Sequence, residues 1–118
     1  MSASRAVYRN LPAALNWVSA GLVFSPKSFA IDVEAAQTLA RQSGCFKCHS
    51  VERQKDGPAY RDVATKFRGK TNAQAKLFAH VTTGPKVEFP DGHEEDHKVI
   101  KTTDHDEINN LISWILSL

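Results

Sequence analysis

The sequence predicts an all-α domain, and three features carry that prediction. Apolar residues recur at helical spacing in several segments after residue 30, and no segment of useful length alternates between apolar and polar residues. Glycine or proline stands where two of these segments end, at Gly44 and at Gly84-Pro85. Since the chain has no internal repeat and only 118 residues, we expect one small helical domain.

The first thirty residues have the composition of an export signal. Two arginines form a basic start, residues 11–24 are mostly apolar, and Ser28 and Ala30 place small residues at both positions that signal peptidase reads. This pattern predicts a signal peptide over residues 1–30 that is cleaved after Ala30. The folded domain would then cover residues 31–118 and would not stay inserted in a membrane.

A retained membrane anchor is the alternative for the leader. The apolar stretch contains Pro12 and Asn16, however, and falls short of the roughly 20 apolar residues that a spanning helix needs. Charge also changes along the chain: of 15 basic residues three lie in the leader, so residues 31–118 have a formal charge of 12 − 13 = −1. Without a basic stripe interleaved with aromatic residues, this part is not expected to bind nucleic acid.

The first predicted helix covers residues 33–43. Its apolar positions recur every three or four residues, and Gly44 follows where a helix would end. These positions are Val33, Ala36, Leu39 and Ala40.

Two further helices are predicted in the middle of the chain, at residues 59–67 and 71–81. The second ends at Thr83-Gly84-Pro85, a firm stop signal. The segment before them, residues 45–58, is polar and ends at Gly57-Pro58, which predicts a loop wrapped around a bound group.

The strongest helical pattern closes the chain. Asp104 and Glu107 stand three apart like a capping pair, and the apolar residues that follow keep a helical period over residues 108–116. Between Pro85 and Thr103 no pattern survives, because proline, glycine and the acidic run Glu94-Glu95-Asp96 interrupt it. We predict an irregular loop there.

The residues Cys45-Phe46-Lys47-Cys48-His49 form a C-x-x-C-H motif, which is typical of covalent haem attachment. One helical turn brings both thiols and the imidazole to one face, so that Cys45 and Cys48 can bond the haem vinyl groups while His49 ligates iron. Half a zinc site would need further ligands, and the chain has only two cysteines. A thioredoxin-like pair should follow a strand, and a plain disulfide leaves His49 without a role.

The residues around this motif extend the pattern. Gly57-Pro58-Ala59-Tyr60, Asp62-Val63-Ala64 and Lys66-Phe67 follow it, and Trp114-Ile115-Leu116-Ser117 closes the chain. Together these stretches resemble the small bacterial class I cytochromes c, the short electron carriers of the periplasm.

The resemblance implies a class I cytochrome c fold in which helices wrap around one covalently bound haem c. It implies that the carbonyl of Pro58 accepts a hydrogen bond from the proximal His49, and that His80 reaches a haem propionate. It also implies that four apolar residues line the haem pocket or the crossing of the terminal helices. These are Phe46, Phe67, Leu111 and Trp114.

The sequence departs from that family at the sixth iron ligand. Most members use a methionine before the last helix, whereas the single methionine here is Met1. Counted back from Trp114, the methionine position falls at about Lys98, so His97 is the expected distal ligand and His93 the runner-up. A water-bound or open site, with both histidines exposed to solvent, is the remaining alternative.

We therefore expect a periplasmic one-electron carrier with a bis-histidine haem of lowered potential, which docks transiently on redox partner proteins. The alternative is a haem protein that binds oxygen, nitric oxide or carbon monoxide at a labile or open distal site. Nothing besides the haem motif offers a catalytic constellation, so an enzyme is not expected.

Overall fold

The computed structural model describes Gly21 and residues 30–118, so almost all of the predicted signal peptide lies outside the described residues. Ala30 and Ile31 are exposed and precede the first helix. Among the described residues, no helix combines the length and the apolar character that crossing a membrane requires.

Helix α1 spans Val33–Gln42, close to its predicted range. Asp32 caps its start by accepting a hydrogen bond from the Ala35 backbone N–H at 3.0 Å. Gly44, with φ of 76°, provides the left-handed turn after its end. The chain then continues into a short 3₁₀ turn, Cys45–Lys47.

Helix α2 spans Tyr60–Phe67 and helix α3 spans Ala73–Thr83. The third helix begins and ends two residues later than predicted, and Gly84 terminates it at φ of 62°. The stop signal at Gly84-Pro85 therefore marks its true end, whereas the apolar pattern alone ends too early.

Helix α4 spans His105–Leu116. The side chain of Asp104 accepts from the backbone N–H groups of Asp106 and Glu107, as the predicted capping pair requires. Glu107 does not reach back to Asp104 directly. Instead, Thr102 donates its hydroxyl to the Glu107 carboxylate at 2.7 Å and accepts from the Asp104 N–H at 3.1 Å.

A small antiparallel ribbon lies in the segment predicted to be irregular. Strand β1, Lys86–Glu88, pairs with strand β2, Glu94–Asp96. The prediction of an irregular loop is wrong for these six residues, because all of them except the half-buried Val87 are exposed and so display no alternating apolar set. The predicted all-α class is confirmed, since all the other regular elements of the described domain are helices.

The core forms around α4, which packs against α1, α2 and α3. Ile108, Leu111 and Ile112 of α4 are fully buried, and the small residues Ala36 and Ala40 of α1 lie inside with them. The apolar face of α4 therefore packs against all three other α-helices and holds them together.

The two ends of the domain are also joined by hydrogen bonds. The side-chain oxygen of Asn110 accepts from the Asp32 N–H at 2.9 Å, and its amide nitrogen donates to the Asp32 carbonyl at 2.8 Å. This pair fixes the start of α1 on the surface of α4.

Candidate haem site

The helices and the ribbon surround a cavity of about 790 Å³, within the size range of cofactor pockets. Its walls are largely apolar. Much of the lining comes from the helices and the segment before α4, through Val63, Phe67, Leu77, Ile100, Leu111 and Ile112.

The two cysteines lie together at one side of this cavity. Cys45 opens the 3₁₀ turn and Cys48 follows it, and the backbone N–H of His49 donates to the Cys45 carbonyl at 2.9 Å. Both thiols are free, half-buried and line the cavity with His49. Burial raises the pKa of the Cys45 thiol.

The ring of His49 is held in one orientation. Its Nδ1 lies 2.7 Å from the Pro58 carbonyl oxygen, and because a carbonyl can only accept, Nδ1 donates. That leaves the lone pair of Nε2 free to ligate a metal, an arrangement that also makes the imidazole more basic toward it. Desolvation by burial lowers the pKa of His49.

Two residues to which the sequence analysis gave no individual role also position His49. Tyr60 stacks on its ring with centroids 4.9 Å apart and planes 22° apart. A Cβ atom at Gly57 would lie 2.6 Å from Cε1 of His49, so only glycine leaves room for the ring. The sequence signal was present in Gly57-Pro58-Ala59-Tyr60, but only the structure shows what these two residues contact.

His97 turns into the same cavity. Its Nδ1 donates to the carbonyl of Lys98 at 2.8 Å, and its ring centroid lies 6.1 Å from that of His49. The structure thus brings the predicted proximal and distal histidines together in one space.

His80, from helix α3, is the third imidazole in the cavity lining. Its ring lies 4.2 Å from the ring of His97, and burial is the main cause that lowers its pKa, followed by the nearby His97. Sequence reasoning did not foresee this pairing, because 17 positions separate the two residues and no periodicity connects them.

His93 lies elsewhere, exposed at the tip of the ribbon. Its ring stacks on Phe89, its Nδ1 bonds the Asp91 carboxylate, and its Nε2 lies 3.5 Å from Glu95. It is absent from the described lining of the cavity. His105 is also exposed and lies edge-on to Phe78, with ring centroids 4.9 Å apart.

The four expected pocket residues divide into two pairs. Phe67 and Leu111 line the cavity, whereas Phe46 and Trp114 do not. The latter two pack around Tyr60, with ring centroids 6.0 Å and 5.9 Å away. They thus support the residue that stacks on His49 and do not themselves form the wall.

A family model for cytochrome c matches residues 33–118, almost the whole described domain. The chain belongs to the cytochrome c family. Cytochrome c-551 of Allochromatium vinosum is 37% identical over 97 residues, which cover 82% of this chain and 100% of that protein. Cytochrome c-551 of Pseudomonas aeruginosa is 30% identical over 110 residues, covering 89% of this chain and 94% of that protein.

Solved structures agree with the sequence relatives of this cytochrome c. The class 1 cytochrome MtoD of Sideroxydans lithotrophicus superposes with a TM-score of 0.72 at 57% identity, covering 75% of this chain and 97% of that chain. Nitrosomonas europaea cytochrome c552 gives a TM-score of 0.54 at 26% identity, covering 69% and 96%. The fold is therefore that of the class I cytochromes c.

The residues in the cavity fit the cofactor of this family, one covalently attached haem c. Two free thiols and an imidazole with an available Nε2 lie at one side of a mostly apolar space. When bound, the haem supplies an iron that takes up and releases one electron. The cytochrome is accordingly an electron carrier that works with redox partner proteins.

Proposed function

We propose that this cytochrome c carries single electrons in the periplasm with an iron ligated by two histidines. Cys45 and Cys48 hold the haem through thioether bonds, His49 is the proximal ligand and His97 is the distal ligand. The observation that supports this assignment most strongly is the approach of the His97 ring to His49 inside the cavity.

The distance between the rings supports the choice of His97. Two imidazoles that would hold one iron through their ring nitrogens, with metal–nitrogen bonds of about 2 Å each, would need ring centroids roughly 6 Å apart. The observed separation is 6.1 Å. His93, in contrast, is engaged by Asp91 at the exposed end of the ribbon.

A second imidazole ligand lowers the reduction potential of the iron. A methionine sulfur ligand raises the potential of a cytochrome c, so histidine in its place gives a lower potential. The carboxylate of Glu95, in the lining of the cavity, adds negative charge that favours the oxidised iron, whereas the carboxylate of Asp96 is paired with the Lys86 ammonium group at 3.0 Å. Both carboxylates are exposed, so salt screens much of this effect.

Two further residues have supporting roles in the proposal. Pro58 orients His49 through its carbonyl oxygen. His80, half-buried at the cavity wall, is placed near a haem propionate by the family resemblance.

Export by residues 1–30 completes the proposal. Ala30 and Ile31 are exposed and immediately precede Asp32, whose backbone is hydrogen-bonded to the Asn110 side chain. Cleavage after Ala30 would therefore cut an accessible peptide bond and leave the folded domain unchanged.

Binding of a small ligand is the second candidate function. It is favoured by the position of His97 outside the helices, on a segment flanked by the exposed Asp96 and Lys98. If that segment releases the iron readily, carbon monoxide or nitric oxide would take the sixth position.

Spectroscopy and potentiometry of the holoprotein test the proposal. We expect ultraviolet-visible and low-temperature electron paramagnetic resonance spectra of a six-coordinate, low-spin, bis-imidazole iron, unchanged by brief exposure to carbon monoxide. His97→Met should raise the reduction potential, and the matched variant His93→Met should leave it unchanged. A high-spin wild type that binds carbon monoxide at once would instead establish the ligand-binding function.

A further inference from the structure

Two imidazoles, those of His80 and His97, lie close together in the lining of the cavity. The rings of His80 and His97 have centroids 4.2 Å apart, closer than the rings of His97 and His49 at 6.1 Å. Any inference from this pairing rests on the proposed function, in which His97 is the distal ligand.

The backbone explains why these two histidines share a wall. The N–H of His97 donates to the Pro85 carbonyl at 2.8 Å, and the N–H of Ile100 donates to the Val81 carbonyl at 3.0 Å. A Cβ atom at Gly84 would lie 2.7 Å from the His97 carbonyl oxygen, so the two segments touch directly. His80 lies one helical turn before Gly84 and therefore faces the ring that this segment carries.

The hydrogen bonds of the three rings in the cavity lining differ. His49 donates to Pro58 and His97 donates to Lys98, which fixes the ring of each. For His80, no hydrogen bond is found among the described residues. Both nitrogens of an imidazole held on a rigid helix are then available, and rotation about two side-chain torsions is enough to reorient the ring.

We propose that His80 is a reserve distal ligand, which leaves the haem propionate and takes the sixth position on iron when His97 is lost or displaced. The exchange breaks one iron–imidazole bond and forms another. Because both ligands are neutral imidazoles, neither the charge nor the electron count of the iron changes. A small ligand would then have to compete with two imidazoles for the sixth position.

The reserve ligand is tested by the spectra of four holoproteins: wild type, His97→Ala, His80→Ala and the double variant. We expect His97→Ala to stay low-spin with two imidazole ligands, as His80→Ala does. The double variant should lose the low-spin signal and bind carbon monoxide at once. As a matched control, His105→Ala combined with His97→Ala should behave like His97→Ala alone.

A second substitution identifies the ligand. In the His97→Ala background, His80→Met should give a methionine-ligated iron with a raised potential. Added imidazole should restore the low-spin spectrum of the double variant, which shows that its haem cavity is intact.

The outcomes separate the two proposals. If His97→Ala alone becomes high-spin like the double variant, His80 is not a reserve ligand, while the bis-histidine proposal stands. If the wild type is already high-spin, the proposed function fails and this inference fails with it.

Discussion

A Cβ atom at Gly57 would lie 2.6 Å from Cε1 of His49 and 2.9 Å from its Nδ1. The backbone of Gly57 thus lies against the flat face of the proximal imidazole, and the next residue, Pro58, accepts its hydrogen bond at 2.7 Å. The orientation of the iron ligand is set by two adjacent residues of the loop.

Gly57→Ala should displace His49. We expect a loss of about 1–3 kcal/mol in the free energy of unfolding of the holoprotein, typical of overpacking against a group that cannot move away. The altered iron–imidazole geometry should also change the g-values in the electron paramagnetic resonance spectrum. Pro58→Ala is the control, because it keeps the carbonyl and should cost less than about 1 kcal/mol. If the two variants show the same stability and the same g-values, the close contact between Gly57 and His49 is wrong.

Asn110→Ala should weaken the junction between the two ends of the domain. Its side chain makes two hydrogen bonds to the backbone of Asp32, and we expect a loss of about 1–2 kcal/mol in guanidinium unfolding. Asn72→Ala is the control, since Asn72 precedes α3 without a capping hydrogen bond from its side chain. If the two substitutions lower the free energy of unfolding equally, the hydrogen bonds between Asn110 and Asp32 do not stabilise this junction.

Asp104→Ala should destabilise the helix on which the core is built. Removal of this cap costs about 1 kcal/mol, because two backbone N–H groups at the start of α4 lose their acceptor. Asp106→Asn should lower the stability much less, since the cap of α4 is the side chain of Asp104 and not that of Asp106. Thermal unfolding followed by circular dichroism distinguishes them, and an unchanged midpoint in Asp104→Ala would show that Thr102 alone holds the helix start.

The pKa of His93 should be raised above its ordinary value by the Asp91 carboxylate. A raised pKa in the folded protein means that the pair stabilises the ribbon tip at low pH, and that this contribution is lost as the pH rises through the folded pKa. The pKa of Asp91 is lowered by His93, so at the acid end the contribution is lost as the pH falls through the pKa of Asp91.

Titration of the His93 ring protons by nuclear magnetic resonance measures this effect in the reduced holoprotein. Asp91→Asn should bring the pKa of His93 back toward its ordinary value, and Glu95→Gln should lower it less, because Glu95 lies 3.5 Å away. A pKa of His93 that stays the same in Asp91→Asn would exclude the ion pair.

Prediction from the sequence succeeded where a residue's role depends on its near neighbours. Helix α4 and its cap follow from a period and two carboxylates, and the position of His49 beside Pro58 follows from the family motif. The ribbon was missed because five of its six residues are exposed, so its strands carry no alternation of apolar residues. The closeness of His80 to His97 was also missed, because it depends on how residues 97–100 lie along the end of α3.

The backbone hydrogen bonds that join residues 97–100 to the end of α3 bear on the order of haem attachment and folding. The residues proposed to attach the haem lie within one short stretch, from Cys45 to His49, whereas His97 is held at the cavity by hydrogen bonds from residues 97 and 100 to Pro85 and Val81. Attachment therefore needs only this short stretch of chain, whereas the proposed placement of His97 depends on contacts with the end of α3. The visible absorption spectrum would then distinguish two stages of assembly, since a chain with haem attached and an open distal side absorbs differently from the fully folded protein.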